Sequence, residues 1–90
     1  MTRDDLARLD LPAAALRAAL VCLTLAEEAQ GEPFAVSAGV VERAAKMPPT
    51  SARRALSTLL GRGLLVEIVA PAGPKAGLYR LRNEPNEVAA

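Results

Sequence analysis

Two adjacent cations, Arg53 and Arg54, lie in the stretch "MPPTSARRALSTLLGRGLL", residues 47–65, among the hydroxyls of Thr50, Ser51, Ser57 and Thr58. A guanidinium forks onto a phosphate or a guanine edge, and a small hydroxyl bonds either one. The combination suits non-covalent capture of a polyanion. Bond-making chemistry has no comparable set of residues. The chain has no histidine and one cysteine, Cys22. That removes Cys/His zinc sites, internal disulfides and nucleophile–histidine pairs. Cys22 sits in the apolar run "ALVCLTLA" and reads as a small core hydrophobe. Glu27 and Glu28 are neighbours, so on a helix they point about 100° apart and make poor acid–base partners. They read as solubilising charge, and Asp4 and Asp5 as a helix-start preference. No glycine-rich phosphate loop follows a strand. The expectation is a binding protein rather than an enzyme, with no cofactor and no metal.

The formal net charge of +1 conceals a strong local imbalance. Residues 1–36 carry three arginines against six acids. Residues 37–82 carry eight cations (Arg43, Lys46, Arg53, Arg54, Arg62, Lys75, Arg80 and Arg82) against only Glu42 and Glu67. The field that a phosphate backbone feels decays over roughly 8–10 Å in physiological salt. The basic half, not the whole chain, therefore decides what is attracted.

Ninety residues, 51% of them hydrophobic, suit one packed domain rather than a disordered segment. Phe34 and Tyr79 are the only aromatics, so the core must come from Leu, Val and Ala. The most apolar stretch, residues 13–26, is shorter than the about 20 residues that span a bilayer, and Arg17 interrupts it. The opening "MTRDDLARLD" is acidic and amphipathic, unlike a signal peptide. The expected location is the cytoplasm, away from membranes.

The cations need elements to position them. Residues 1–10 read as an arm or short helix whose Leu6 and Leu9, with Leu11, offer apolar contacts. "DLPAAALRAALVCLTLAEEAQG" reads as a long helix capped by Asp10, with Pro12 in its first turn and Gly31 at its end. Its apolar surface runs nearly all round, so it predicts cover on more than one side, one of them a second copy of the chain. "EPFAV" is a short extended segment. Ser37 caps a second helix, "AGVVERAAK", with Val40, Val41 and Ala44 facing inward. "MPP" breaks the chain, since a residue before proline avoids helical geometry. Thr50 or Ser51 then caps a third helix, about residues 50–62. Spacing of about 100° per residue puts Ala52, Leu56, Leu59 and Leu60 on its buried arc. Arg54 points directly away from that arc, Ser57 and Thr58 flank it, and Arg53 falls at the boundary. "LLVEIVA" and "LYRLR" read as strands of a hairpin joined by the loop "PAGPKAG", and residues 83–90 as a frayed tail. The folded unit is expected over residues 11–82.

This order, mainly helical with a small hairpin, resembles the winged helix-turn-helix family between Phe34 and Arg82. "MPPTSARRALSTLLGRGLLVEI" is similar to that family's cadence: a small apolar residue (Met47), a cap at Thr50 or Ser51, leucines at 56 and 59, then Gly63-Leu64 entering the wing. "GLYRL" resembles the returning wing strand, with Lys75 near the tip. Many relatives have glycine at the turn where this chain has Lys46. The resemblance implies three helices plus a two- to three-stranded wing (about residues 65–82), and sequence-specific binding of double-stranded DNA in transcriptional regulation. The third helix would enter the major groove, with Arg54 reading guanine. Ser51, Ser57, Thr50 and Thr58 would bond bases or phosphates. Arg53, Arg43 and Lys46 would hold the backbone, and Lys75 and Arg80 would serve the wing. A bacterial-type homodimer joined through the first helix and the arm is the implied assembly. Two other readings stay open: a winged-helix protein-interaction module, and a plasmid or phage protein for replication, partition or excision.

Overall fold

Proline, rather than aspartate or a hydroxyl residue, precedes the helices Ala13–Glu28 and Pro49–Gly61. The computed structural model describes residues 4, 6, 8–30, 32–73 and 75–82. In chain order they form α1 (Ala13–Glu28), β1 (Phe34–Ala35), α2 (Ala38–Ala45), α3 (Pro49–Gly61), β2 (Leu65–Val69) and β3 (Leu78–Leu81). The strands make one antiparallel sheet in the order β1-β3-β2, so the class is α+β. The expected helix stop at Gly31 and the expected tail, residues 83–90, lie outside the described residues.

The capping expected of Asp10 and of Thr50 or Ser51 is not what the structure has. Pro12 precedes α1 and Pro48 precedes α3, both in extended geometry and neither with a side-chain cap. The reason is the missing amide of proline. Pro49 as the first residue of α3 has no N–H to satisfy, and its fixed φ already suits a helix. The helix thus starts ahead of the hydroxyls and leaves Thr50 and Ser51 inside its first turn. Ser37 does cap α2 as expected, accepting from the Val40 amide at 3.3 Å.

Both ends of the α2–α3 region close tightly. Lys46 ends α2 in the left-handed region at φ 54°, where glycine is the usual occupant, and the Met47 amide reaches back to the Glu42 carbonyl at 3.2 Å. Only residues 46–48 separate the two helices. At the far end of α3, Gly63 takes φ +73°. The Leu64 amide then bonds the Leu59 carbonyl and the Gly63 amide the Leu60 carbonyl, a pair that seals the helix and buries Leu64 near Leu59.

The core lies where α1 crosses α3 and α2, closed at one end by the sheet. Ala15, Ala18, Ala19, Cys22 and Leu23 of α1 meet Ala52, Ala55 and Leu59 of α3, and Val41 and Ala45 of α2. Alanine on both facing helices permits close approach, which suits a chain with few large side chains. The two aromatics, Phe34 and Tyr79, are direct cross-strand partners, and both are buried. Such pairs add roughly 0.5–1.5 kcal/mol beyond the area they bury. Three expectations for the interior change. In α2 it is Val41 and Ala45 that are buried, with Ala44 exposed. In α3 Ala55 is buried where Leu60 was expected; Leu60 is 38% exposed. Leu6 is wholly buried, and the half-buried Leu9 and Leu11 pack against the same core, so the arm contributes to this chain's own interior.

Cys22 is enclosed completely, and burial pushes its thiol up from 9.0 to about 12. The neutral thiol is therefore favoured in the folded state. Folded chains keep the proton where unfolded chains lose it, so this stabilisation is whole below pH 9. It declines by at most about 1.4 kcal/mol per unit as pH rises through the window from 9 to 12. Tyr79, raised by burial and by the carboxylate of Glu67 across the strand pair, acts in the same direction. A thiol reagent at pH 8 is expected to label Cys22 only at the rate of global opening, and labelling as fast as in denaturant would contradict its enclosure.

The hairpin depends on one glycine. β2 and β3 pair as Leu65 with Leu81, Val66 with Arg80, Glu67 with Tyr79 and Val69 with Leu78, with a bulge between Glu67 and Val69. Beyond them the chain folds back past Gly77, where an added Cβ would lie 2.7 Å from the Val69 carbonyl oxygen and 3.0 Å from Pro71 Cδ. Backbone must move to admit it. Gly77→Ala is expected to destabilise the domain by about 1–3 kcal/mol. Thermal unfolding checks this: a melting temperature equal to that of the parent would show that the strands have slack at this crossing.

Candidate functional site

The exposed side of α3 follows from which residues are buried. Ala52, Ala55 and Leu59 centre the inward arc, so at about 100° per residue the outward pole falls on Thr50 and Ser57. Arg53 and Arg54 stand roughly 50° to either side of that pole. Arg54 is thus not the outermost residue, and Arg53 is not at the apolar boundary. The displacement has one cause: Ala55 rather than Leu60 turns inward, which rolls the helix relative to the expected arc. Thr50, Arg53, Arg54 and Ser57 are all exposed. Among the described residues, neither of the two guanidiniums donates a side-chain hydrogen bond to the protein, whereas those of Arg17 and Arg62 do.

The other two hydroxyl residues of α3 are placed differently. Ser51 and Thr58 are half-buried and line a cleft of about 220 Å³ against Pro12, Ala14 and Ala15 at the start of α1. Arg54 borders the same cleft. Thr58 Oγ1 donates back to the Arg54 carbonyl at 3.0 Å, so its proton is engaged within the helix. Of the six candidates on α3, four share the outward face, and two turn toward α1.

Arg43, in the last turn of α2, and Lys46, in the turn after it, are exposed. Both come before α3 in the chain, and Lys46 lines the groove between α1 and α2. Lys75 sits at the hairpin tip, where reciprocal bonds between Ala72 and Lys75, at 3.0 and 3.2 Å, close the turn over Gly73 at φ +57°. Arg80 is not at that tip. It stands opposite Val66 on the outer face of the sheet, where Val69 and Leu78 are also exposed.

Sequence reasoning missed two arginines. Arg62 donates to the Asp10 carbonyl at 2.6 Å and ties the segment ahead of α1 to the end of α3. Arg17 donates to the Ala45 carbonyl and ties α1 to the end of α2, where a cation also meets the negative end of the helix dipole. Neither tether has a sequence signal, because each bonds a main-chain oxygen far along the chain. The strand "LVEIV" was expected, but its exposure was not: only Glu67 is polar, yet Val66, Ile68 and Val69 are 43–50% exposed.

Among the described residues no group of three or more His, Cys, Asp or Glu side chains is gathered as a metal site, and no helix is long and apolar enough to cross a membrane. No family model, curated protein or solved structure matches this chain.

Proposed function

We propose that this chain is a winged helix-turn-helix domain that binds double-stranded DNA and acts in transcriptional regulation. In this reading α2 and α3 form the helix-turn-helix, joined by residues 46–48, and β2 and β3 form the wing. The observation that carries it is the outward face of α3. Two arginines flank two small hydroxyl residues there, with no polar partner among the described residues and with the core directly behind them. Such a face suits the major groove. Arg54, and Arg53 on the opposite flank, are placed to reach guanine edges or phosphates, and Thr50 and Ser57 are small enough to let the helix approach. Arg43 and Lys46 would hold the backbone beside the start of α3. Lys75 would meet the backbone or minor groove from the wing tip.

Affinity for a fluorescent mixed-sequence duplex, measured by anisotropy at several salt concentrations, tests the proposal. About four phosphate contacts give a log–log salt slope near −3.6, so affinity is expected to fall by roughly 10²-fold between 50 and 200 mM salt. A weak signal that ignores salt would overturn DNA binding.

One feature favours a second reading. Val66, Ile68, Val69 and Leu78 make the hairpin apolar on exposed positions, with Arg80 the cation set among them. That composition suits a protein partner better than a phosphate backbone. In this reading the domain is an interaction module and the arginines of α3 are a solvated face. Salt-insensitive duplex titrations would favour it.

A further inference from the structure

We propose that the groove between α1 and α2 binds a medium-chain aliphatic carboxylate, with its chain along the two helices and its head between Arg17 and Lys46. The groove is about 500 Å³, within the size range of small-molecule sites. Leu20, Val21 and Leu25 of α1 and Val40 and Ala44 of α2 give it an apolar lining. Thr24 also borders it, but its hydroxyl donates to the Leu20 carbonyl at 3.1 Å, so that proton is engaged within the helix. Among the described residues, Arg17 and Lys46 are the charged groups on its wall, and no acid stands there to neutralise them.

The order of residues along the helices gives the groove a charged end and an apolar end. Arg17, Val21 and Leu25 recur every four residues and so form one row on α1, about 12 Å from first to last. Arg17 begins that row and donates to the carbonyl of Ala45, the last residue of α2. Lys46 follows directly, in the left-handed turn. Both cations therefore belong to one end, and Val21 and Leu25 lead away from it. An anion with an apolar body matches that polarity, whereas a neutral chain would leave both cations without a partner. A row of about 12 Å suits an extended chain of about ten carbons. A protein helix, about 10–12 Å across with its side chains, would stand mostly outside a groove of this volume.

Arg17 suits the role of head-group ligand because its position is already set. One of its N–H groups is bonded to the Ala45 carbonyl, which holds the guanidinium in place before any ligand arrives and lowers the ordering cost of binding. A guanidinium has five donors, so others remain for a carboxylate, whose two oxygens accept from such a fork together. The Lys46 ammonium adds a second charge on a flexible stem that can follow the head. Burial of the chain supplies most of the affinity, and the charged pair sets its direction. For a ligand of this size in an open groove, a dissociation constant of roughly 0.1–1 mM is expected. The inference rests on this groove alone and is independent of duplex binding.

Calorimetric titration with sodium decanoate tests the site. One decanoate per chain is expected to bind, saturably and below the concentration at which decanoate forms micelles. Butyrate has the head without the chain, and decyltrimethylammonium has the chain with the opposite charge. Each should bind at least about 10-fold more weakly than decanoate. Lys46→Gln, a change at an exposed residue, and Arg17→Met should each weaken decanoate binding by about 3- to 10-fold. Ala44→Trp, which fills the groove from an exposed position, should weaken it by about 10-fold or more. No saturable binding, or equal affinity for the cationic chain, overturns the proposal. So does binding that survives Ala44→Trp but is lost with Ile68→Ser, which would move the chain to the exposed face of the hairpin. A second copy seated in the groove would overturn it as well. Light scattering would then give nearly twice 9.4 kDa for the parent and the monomer mass for Ala44→Trp.

Discussion

Replacing Arg53 and Arg54 together by alanine is expected to weaken duplex binding by about 10²-fold at moderate salt while leaving the fold intact. The two arginines flank the outward pole of α3 and are exposed, so the change creates no cavity and breaks no hydrogen bond among the described residues. Alanine is also the better helix former, so the melting temperature should hold or rise slightly. The loss divides between two kinds of contact. An arginine bidentate to guanine is worth about 1–3 kcal/mol and sets preference at one base pair. An arginine on a phosphate contributes more evenly across sequences and sets about 0.9 of the salt slope. Single variants separate them. On the reading above, Arg54→Ala relaxes base preference with the slope little changed, and Arg53→Ala flattens the slope with preference little changed. The reverse pattern would exchange their roles, which the near-symmetric placement about the pole allows. If the double variant binds as tightly as the parent, and with the same slope, α3 is not the DNA-binding face.

The fold could be read from the sequence wherever a local rule acted without competition. Ser37 capping α2, the break at Pro48-Pro49, the strand at Phe34 and the hairpin over "PAGPKAG" each follow from one residue's backbone preference, and each is present. The reading failed where two rules competed. A hydroxyl residue and a proline can each begin a helix, and at α3 proline prevailed, because a first residue without an N–H leaves one fewer amide to satisfy. At α1 Pro12, in extended geometry, stands directly before the first helical residue, and Asp10, two residues further back, lies outside the cap position.

The site was legible in composition and less so in orientation. Arg53, Arg54, Thr50 and Ser57 do share an exposed face, but its centre moved because apolar periodicity does not say which of several apolar residues is innermost. Leu56, Leu59 and Leu60 all satisfy the pattern. α1 presents alanines at the crossing, and small residues on one helix draw small residues on the other, so Ala52 and Ala55 take the inside together with Leu59. Leu60 is left near Arg53 on the surface. The same geometry turned Ser51 and Thr58 toward the start of α1. Lys46 shows the converse: its left-handed φ runs against the preference of its residue type, so nothing in the sequence signals it.

Leu59→Ala separates the observed interior from the expected one and should have the largest effect on stability. Leu59 is fully enclosed, among the largest of the wholly buried side chains, and its carbonyl accepts the amide of Leu64 at the seal of α3. Truncating it removes buried methyl groups and leaves a void that alanine neighbours on α1 are too short to fill. The cost is about 2–5 kcal/mol, a large share of what a domain of this size holds. It translates to a fall of roughly 10–25 °C in melting temperature. Leu60→Ala removes the same atoms one residue along from a site 38% exposed, and is expected to cost under about 1 kcal/mol. The contrast matters more than either value, since a helix rolled to the arc Ala52, Leu56, Leu59 and Leu60 would make the two losses similar. Equal destabilisation by the two substitutions in urea unfolding would restore Arg54 to the outward pole of α3. The positions assigned to Thr50, Ser57 and Arg53 would then have to rotate with it.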